Sequence, residues 1–488
     1  MKKVVIVGAG IAGPMAAISA KQTNPNLDVM LIEKTQVFGG GAAMSAAWIS
    51  SFIMDTADSA ETEGFTTMMW NMVNPALPGF PPFNPDKFLD IARAATDFRD
   101  FLIDAGLTWT LIHNGMTAEI IGGSYPMVTA IEREVLAYGI DLEFGWGAQR
   151  LIVTDGAITG VEGITDEGRN FRINARKVIL ATGGFSRHEA ILQEFGNPDI
   201  MDSLMYFIST AAIGATGSGI DMVRATNVNA DLYDSFQVSI QGTQFAEALH
   251  LALAPIEQGR FVPYFIQQGF VQDMPHLQMQ NQILVDADGA RFPGIHGQTG
   301  APVSSEDVPI AWMGGGDTAR GMFERNNPPY FVIFDSNNPH SEHNFNAALN
   351  AAHAAMPTEV FRADSIPALA TAIGAVNLAA TVAAYNDYYG GYDQWNKPVN
   401  KRIEQGPFFA VRLFPNVSTT AGGMVTNSNG QVLRNGVPIP NLYAAGEVSN
   451  RDLTTTGSVL LGGVSLSLYP AHGILAGRHA AQALTPAP

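Results

Sequence analysis

The sequence predicts an α/β fold whose core is a parallel sheet buried on both faces. Three observations support this prediction. A continuous apolar run at Val4–Val7 opens the chain, a glycine-rich turn follows from Gly8, and a second apolar run occupies Val29–Ile32. Parallel strands covered by helices appear as unbroken hydrophobic runs rather than as alternating ones. A helix predicted over residues 11–22 connects the two strands.

The turn after the first strand has the spacing of a dinucleotide-binding fingerprint, with Gly8, Gly10 and Gly13 around Ala12. The first glycine permits a tight turn, the second lets the backbone approach a pyrophosphate, and the third lets the helix pack close to the strand. The helix N-terminus offers N–H groups to the phosphates. Glu33 ends the second strand, where an acid would bind a ribose hydroxyl. These features predict a Rossmann-like nucleotide-binding unit.

A second glycine segment near the other end of the chain, Asn441–Glu447, indicates which dinucleotide binds. It has a strand pattern that ends in Gly446 and Glu447. The first fingerprint alone is compatible with NAD or FAD. Two glycine segments of one site, roughly 400 residues apart, favour FAD.

Composition excludes several classes of protein. Of the 488 residues, 46% are hydrophobic and 15% are charged, which supplies large cores and argues against disorder. The net charge of −18 disfavours nucleic acid as a partner. There is no cysteine, so disulfides, thiolate nucleophiles and iron–sulfur ligation are excluded, and no metal site is expected. We also expect no membrane insertion and a cytoplasmic location.

Periodicity and texture predict a nucleotide-binding domain interrupted by an insertion. A helix with one apolar face is predicted over residues 85–105, and Asp155-Gly156 predicts a short hairpin within a β-meander. Residues 275–404 are rich in Asn, His and Pro, and we interpret them as a cap or substrate domain. Residues 1–274 and 405–488 would then form the FAD-binding domain.

Eight segments, in order along the chain, carry a resemblance to one flavoprotein family. They are the N-terminal fingerprint, Leu180–Phe185, Thr216–Ile220, Thr381–Asn386, Gly406–Ala410, Ala421–Gly423, Leu442–Glu447 and Gly462–Leu466. The chain resembles FAD-dependent fumarate reductases, succinate dehydrogenase flavoprotein subunits, urocanate reductase and 3-ketosteroid Δ1-dehydrogenases. This resemblance implies a Rossmann-like FAD-binding domain of the glutathione-reductase type with an inserted α+β cap domain.

The resemblance also implies how FAD would be held. The first glycines would meet the pyrophosphate, Glu33 the adenosine ribose and Glu447 the ribityl chain. Backbone donors of Ser465 and Leu466 would lie near the pyrimidine end of the flavin and stabilise negative charge on its reduced form. The implied cofactor-binding residues are Gly8, Gly10, Ala12, Gly13, Glu33, Lys34, Gly40, Gly41, Ser45, Ala181, Gly183, Gly446, Glu447, Ser465 and Leu466.

The sequence departs from the fumarate reductases at their substrate clamp. Where that family has a histidine, an arginine and an asparagine, this chain has Thr419, Leu460 and Val464. A carboxylate in a closed site needs cationic partners to offset its desolvation. The site would instead be lined by residues such as Met44 and Trp48. We therefore expect a neutral, largely apolar enone or ketone as substrate, and the electron partner is not identified.

Four residues are candidates for moving the proton. His296 lies in the loop where the family keeps its donor arginine, and imidazole suits proton transfer near neutral pH. Tyr469 precedes a proline, as does a catalytic tyrosine of the ketosteroid dehydrogenases. Tyr385 lies on a predicted cap helix, and Gln241 falls near a flavin-facing histidine of relatives. For each, an ordinary structural role is the alternative.

These residues predict an FAD-dependent oxidoreductase that acts on a CH–CH group. Hydride would pass between flavin N5 and a carbon–carbon bond adjacent to a carbonyl, in either direction. One alternative is a fumarate- or urocanate-type reductase of an unsaturated carboxylic acid that uses Arg412 or Arg451 as its clamp. Another alternative is a catalytically silent flavin-binding protein that has lost its proton donors.

Overall fold

The structure is a computed structural model. It describes residues 2–43, 45, 47–54, 85–112, 117–188, 190–191, 214–226, 228–232, 237–244, 282–295, 302–303, 321–322, 324–337, 349–350, 353–354, 357–450 and 463–485. Four of the sequence-based predictions therefore fall outside the described residues: His296, Met44, Leu460 and Arg451.

Eighteen strands are described. They are β1 (Lys2–Val7), β2 (Val29–Glu33), β3 (Trp48–Ser50), β4 (Trp109–Ile112), β5 (Thr117–Ile120), β6 (Asp141–Phe144), β7 (Trp146–Thr154), β8 (Ala157–Thr165), β9 (Asn170–Leu180), β10 (Gln237–Gln244), β11 (Gln282–Val285), β12 (Gly294–Ile295), β13 (Pro302–Val303), β14 (Tyr330–Phe334), β15 (Val360–Ala363), β16 (Phe408–Ala421), β17 (Gln431–Arg434) and β18 (Val437–Ala444). The described helices are Ala12–Thr23, Gly40–Ala43, Ser51–Met54, Pro85–Asp104, Ser124–Ala137, Ser218–Ala225, Ile366–Ile373, Leu378–Asn386 and Val464–Gln482, with a 3₁₀ turn at Gly446–Val448.

The main sheet has the strand order β17-β18-β9-β1-β2-β6. Strand β1 lies at its centre and pairs in parallel with β2 and β9, while β18 pairs in parallel with β9. Val4, Val5 and Ile6 of β1 are fully buried, as the unbroken apolar run predicts. This sheet brings both glycine segments to one edge and confirms the predicted α/β class.

The first and last long helices, Ala12–Thr23 and Val464–Gln482, pack closely because glycines face the first helix. A Cβ added at Gly473 would lie 2.1 Å from the carbonyl oxygen of Ala12, and one at Gly477 would lie 2.0 Å from that of Ala16. A side chain at either glycine would therefore separate the helices. The contact fixes the C-terminal helix beside the start of the nucleotide-binding unit.

Local predictions in this part of the chain are confirmed. The long helix spans Pro85–Asp104, and its predicted apolar face is buried. The hairpin turn has positive φ at both Asp155 (51°) and Gly156 (77°), as a two-residue turn between twisted strands requires. One difference concerns β9, which is a single strand of 11 residues, whereas the apolar runs Phe171–Ile173 and Val178–Leu180 predict two short strands. Its pairing with both β8 and β1 holds it extended.

A second sheet of five strands has the order β10-β16-β14-β11, with β15 also on β16. Helices Ile366–Ile373 and Leu378–Asn386 cover it, separated by Gly374 at φ 75°. The strands of this sheet extend outside residues 275–404, because β10 precedes them and β16 follows them. The exact domain boundaries stay a prediction.

None of the described helices combines the length and apolar character needed to cross a membrane.

Candidate flavin site

The fingerprint glycines have different surroundings, as their predicted roles require. Gly8 has φ 108°, and a Cβ there would lie 2.3 Å from the carbonyl oxygen of Ala181. A Cβ on Gly13 would lie 1.9 Å from the carbonyl oxygen of Gly8. By contrast, no atom lies within 4 Å of a Cβ built on Gly10. Two glycines therefore allow close packing inside the protein, whereas Gly10 presents bare backbone outward.

Glu33 is oriented by the fingerprint itself. Its Oε2 accepts a hydrogen bond from the backbone N–H of Ala9 at 2.8 Å, and its Oε1 accepts from the backbone N–H and hydroxyl of Thr35, each at 2.9 Å. The side chain is nearly buried. Since each carboxylate oxygen has more than one lone pair, these contacts fix the group and leave it able to accept from a ribose hydroxyl.

Lys34 turns toward the segment before helix Ser218–Ala225. Its Nζ lies 2.5 Å from Thr216 Oγ1 and 3.5 Å from Ser218 Oγ. Burial lowers the pKa of Lys34, although Glu33 and Asp221 oppose the shift. Lys34 thus ties a distant loop to the end of β2, next to the residue predicted to bind ribose.

The small-residue run after β2 contacts the fingerprint. The backbone N–H of Gly39 donates to the carbonyl of Ala9 at 2.7 Å. A Cβ on Gly40 would lie 3.1 Å from Gly10 Cα, while one on Gly41 would meet nothing within 4 Å. The Ser45 hydroxyl donates to the carbonyl of Ala42 at 2.7 Å. The predicted phosphate-side residues therefore do lie together.

The late glycine segment joins the same place. The backbone N–H of Ala445 donates to the carbonyl of Leu180 at 3.0 Å, which continues the pairing of β18 with β9. A Cβ on Gly446 would lie 2.9 Å from Ala12 Cβ. Gly183 has φ 71°, and a Cβ built on it would meet nothing within 4 Å. Residues over 400 positions apart thus line one surface, as predicted for the two halves of a dinucleotide site.

Glu447 is held by a residue that the sequence did not single out. Its Oε1 accepts from the backbone N–H of Thr420 at 2.8 Å and from the Thr420 hydroxyl at 2.9 Å. Burial raises the pKa of Glu447, and these two bonds oppose that shift because they favour the carboxylate. A Cβ on Gly184 would lie 2.2 Å from both Glu447 Oε1 and Thr420 Oγ1, so the group packs against bare backbone.

The C-terminal helix begins beside β3. Gly463 precedes it with φ 85°, and a Cβ there would lie 2.4 Å from the carbonyl carbon of Ile49. Ser465 and Leu466 are in the first turn. The first backbone N–H groups of a helix have no partner inside the helix, and they carry partial positive charge. The position suits donors to an electron-rich ring.

These residues fit an extended dinucleotide. Gly10, Gly41 and Gly183 expose backbone without a neighbour within 4 Å of a built Cβ. Glu33 and Glu447 each orient a carboxylate toward this region through bonds to backbone N–H groups. FAD has the acceptors and hydroxyl donors that such a set would bind, namely phosphates and two polyol segments.

Two of the four proton-transfer candidates lie inside protein cores. Tyr469 belongs to the core beside the first helix, and its hydroxyl lies 2.7 Å from Asn450 Nδ2. Tyr385 is 1% exposed, with Arg291 4.9 Å and Lys397 Nζ 5.4 Å from its ring centroid. Such cation–π contacts stabilise a buried ring. Both rings therefore pack inside the protein.

Gln241 lies in β10, opposite Asn416 of β16. Two positions away in the same strand, Ser239 lies opposite Thr419. The register therefore brings β10 beside the strand that ends at the Glu447 contact.

Thr420 and Asn450 were not among the predicted site residues. Thr420 directly precedes the Ala421–Gly423 segment, and a hydroxyl residue at a strand end was an available signal. Asn450 gave no signal, since nothing local distinguishes a buried asparagine from one in a surface turn.

Comparison with known proteins agrees with this geometry. A family model described as an FAD binding domain matches residues 3–466. An NADH:fumarate oxidoreductase of Klebsiella pneumoniae (strain 342) is 25% identical over 98% of this chain and 47% of its own length. A vinyl phenol reductase of Lactiplantibacillus plantarum is 25% identical over 98% of this chain and 96% of its own length. The chain thus spans about half of the first relative and nearly all of the second.

A solved structure has the same fold. A flavocytochrome c3 fumarate reductase in its open conformation superposes with a TM-score of 0.72 and 20% sequence identity, covering 99% of this chain and 78% of that chain. The family match confirms the predicted relationship and the predicted cofactor. The chain therefore belongs to the FAD-binding family, with FAD as its cofactor, and is an FAD-dependent oxidoreductase.

Proposed function

We propose that this protein transfers hydride between flavin N5 and a carbon–carbon bond conjugated with a carbonyl group in a neutral, largely apolar substrate. The observation that carries the proposal is the set of residues at the three clamp positions of the fumarate reductases. Thr419, Leu460 and Val464 stand there, and none of them is charged. A dicarboxylate desolvated at this site would lack the cations that offset the cost of burial.

The surroundings of Val464 and Arg412 support a neutral substrate. Val464 begins the C-terminal helix and is 5% exposed. A carboxylate reductase would use Arg412 or Arg451 to bind its substrate, and the structure describes Arg412. This residue lies in β16, with its Nη1 3.6 Å from Glu359 Oε1. Its backbone N–H donates to the carbonyl of Glu359 at 2.9 Å. This arginine therefore serves the cap sheet, where a carboxylate of the protein already partners it.

The relatives include both substrate classes. Fumarate, named for the Klebsiella relative, is a dicarboxylate, whereas a vinyl phenol is a neutral aromatic alkene. The second relative has nearly the same length as this chain. Both names describe reactions at a carbon–carbon double bond, so we assign this chemistry to the chain as part of the proposal.

The roles of the chain's own residues follow from their positions. FAD supplies hydride transfer at its N5 atom when it is bound. Gly8, Gly10 and Gly13 would admit the pyrophosphate, and Glu447 would accept from the ribityl hydroxyls. The first turn of the C-terminal helix, with Ser465 and Leu466, donates toward the pyrimidine end, where the reduced ring carries negative charge.

His296 is the proposed proton donor. It lies in the loop where the family keeps an arginine as proton donor, and imidazole suits proton transfer near neutral pH. Substituting His296→Gln should lower kcat by about 10²–10⁴-fold while FAD binding is unchanged, since general acid catalysis is of that size. A variant with wild-type kcat would exclude this role.

Matched acid and ester pairs test the substrate class. The holoprotein is photoreduced without oxygen and mixed in a stopped-flow instrument with acrylate or methyl acrylate, fumarate or dimethyl fumarate, and urocanate or its methyl ester. Members of each pair share the alkene and differ in charge. We expect the neutral member to reoxidise the flavin at least 100-fold faster, together with neutral cyclic enones. Faster reoxidation by the acids would overturn the proposal in favour of the carboxylate reductase.

The same experiment tests the silent alternative. A reduced flavin that no alkene in the panel reoxidises, although oxygen does so, would support a flavin-binding protein without this activity. The reverse reaction is measured on the oxidised holoprotein with saturated ketones, where bleaching of the flavin band reports desaturation.

A further inference from the structure

We propose that Asn450 is a positioning residue that fastens the end of the cap-sheet strand β16 to the Glu447 segment and, through Thr420, fixes the Glu447 carboxylate for FAD. The inference rests on the cofactor role proposed above for Glu447. It does not depend on which substrate the enzyme reduces.

The carboxamide of Asn450 binds β16 as a neighbouring strand would. Its Nδ2 donates to the carbonyl of Thr420 at 2.9 Å, and its Oδ1 accepts from the backbone N–H of Gly422 at 3.1 Å. These two backbone groups flank Ala421, the last residue of the strand. The side chain of Asn450 is fully buried. Both ends of the amide thus pair with the backbone at the point where β16 ends.

The same amide also reaches the C-terminal helix. Asn450 Nδ2 lies 2.7 Å from the hydroxyl of Tyr469. An amide nitrogen carries two hydrogens, so one can be donated to Thr420 and the other to Tyr469. Asn450 therefore joins three segments: the end of β16, the loop after Glu447 and helix Val464–Gln482. An aspartate in its place would have no hydrogen for either acceptor.

Thr420 transmits this placement to Glu447. The carbonyl of Thr420 is held by Asn450, while its N–H and hydroxyl are donated to Glu447 Oε1 at 2.8 and 2.9 Å. Both contacts depend on the orientation of one residue. The backbone of Gly184 packs closely against the Thr420 hydroxyl, since a Cβ on Gly184 would lie 2.2 Å from Thr420 Oγ1. If the strand end rotates, the carboxylate loses its donors.

The hydrogen bonds of Asn450 lie where the cap-sheet strand β16 approaches the predicted FAD site. Strand β16 pairs with β14 and β15 over its first half and with β10 over residues 413–421. Its end is the part that Asn450 holds. Backbone contacts just beyond it remain in any Asn450 variant, since Met424 N–H donates to the carbonyl of Val448 at 2.9 Å. Removing the amide should therefore change local orientation rather than the fold.

The chain offers a matched control in Asn386. Its Nδ2 donates to the carbonyl of Ile403 at 3.0 Å, and its Oδ1 accepts from the N–H of the same residue at 2.8 Å. These are the same kind of hydrogen bonds between a side-chain amide and the backbone, and they lie inside the cap region. Asn386→Ala thus removes a comparable pair of hydrogen bonds without touching Thr420 or Glu447.

The test compares Asn450→Ala, Asn450→Asp and Asn386→Ala with the wild type. The FAD dissociation constant is measured on apoprotein by quenching of FAD fluorescence, and the holoproteins are compared by their visible flavin spectra, reduction potentials and thermal midpoints. We expect Asn450→Ala to weaken FAD binding at least tenfold and to shift the flavin spectrum, with a larger effect for Asn450→Asp. Asn386→Ala should lower the thermal midpoint and leave FAD binding within twofold.

Two results would overturn the inference. One is an Asn450→Ala protein that binds FAD within twofold of the wild type with an unchanged spectrum. The other is an equal loss of FAD affinity in Asn386→Ala, which would show a general effect of stability. If Asn450→Ala does not fold, Tyr469→Phe replaces it, because this variant removes the hydroxyl that the amide contacts and leaves the Asn450 side chain in place. A wild-type FAD affinity and spectrum in Tyr469→Phe would then reject the proposed linkage.

Substrate turnover is not used as a readout in this test. Failure of the Asn450 proposal is therefore distinguishable from failure of the proposed substrate class, which the acid and ester pairs decide.

Discussion

His472 provides a quantitative test of how the C-terminal helix is packed. The residue is fully buried, and within the described part of the chain neither ring nitrogen has a hydrogen-bond partner. Lys87 is nearby on the long helix, with its Nζ 2.9 Å from Thr426 Oγ1. Burial, and then the charge of Lys87, lowers the pKa of His472 well below 6.5. The folded protein therefore keeps this imidazole neutral.

The substitution His472→Leu should stabilise the protein at pH 7. A buried polar group without a partner costs about 1–3 kcal/mol, and fitting the somewhat larger leucine costs about 1 kcal/mol. We expect a net gain of up to roughly 2 kcal/mol in the free energy of unfolding. His472→Met, of similar volume but more adaptable, separates the packing cost from the polar one.

The pH dependence gives a second and sharper expectation. Below pH 6.5 the unfolded chain binds a proton at this histidine, and the folded chain does not, because its pKa is depressed. The wild type therefore loses stability as the pH falls, by up to about 1.4 kcal/mol per pH unit. Between pH 7 and pH 5 the loss from one such group cannot exceed about 2 kcal/mol, the limit set by protonation of the unfolded chain, and the leucine variant lacks this loss.

Urea unfolding of both proteins at pH 7 and pH 5, with saturating FAD, measures these quantities. Titrating groups shared by the two proteins cancel in the difference between them. The advantage of His472→Leu should grow on acidification, by up to about 2 kcal/mol. A variant that is less stable at pH 7 by about 1 kcal/mol or more, or an advantage that does not change with pH, would refute the reasoning.

Three further predictions concern the flavin site and the cap. Gly13→Ala should prevent folding or FAD retention, because its Cβ would lie 1.9 Å from a backbone oxygen. Gly10→Ala should fold with a normal thermal midpoint and bind FAD weakly. The flavin content after purification measures FAD retention in both variants. Thr420→Val should weaken FAD binding about tenfold, since a hydrogen bond to a carboxylate is worth about 1.5 kcal/mol or more; an unchanged dissociation constant would show that the hydroxyl contact to Glu447 is dispensable. Tyr385→Phe should keep kcat within about twofold, because the ring remains between its two cations and a catalytic hydroxyl would be worth 10²-fold or more.

Much of the fold was predictable because its signals are local. The glycine spacing, the apolar runs and Glu33 specify one βαβ unit, whose parts lie within about 30 residues of each other. The Asp155-Gly156 turn and the stripe of the long helix are local as well. Local patterns did not reveal that β9 is continuous or that Gly374 separates two cap helices, because neighbouring strands and packing decide these points.

The sequence by itself therefore determined the dinucleotide-binding unit and the flavin cofactor, since both depend on residue type at a fixed spacing. Only the tertiary structure decided that Thr420 holds Glu447, 27 residues away, and that Asn450 contacts Tyr469 on the C-terminal helix. It also placed His472 and Tyr385 in cores. The physical reason is that a buried polar group is defined by its partners, and those partners come from segments that only folding brings together.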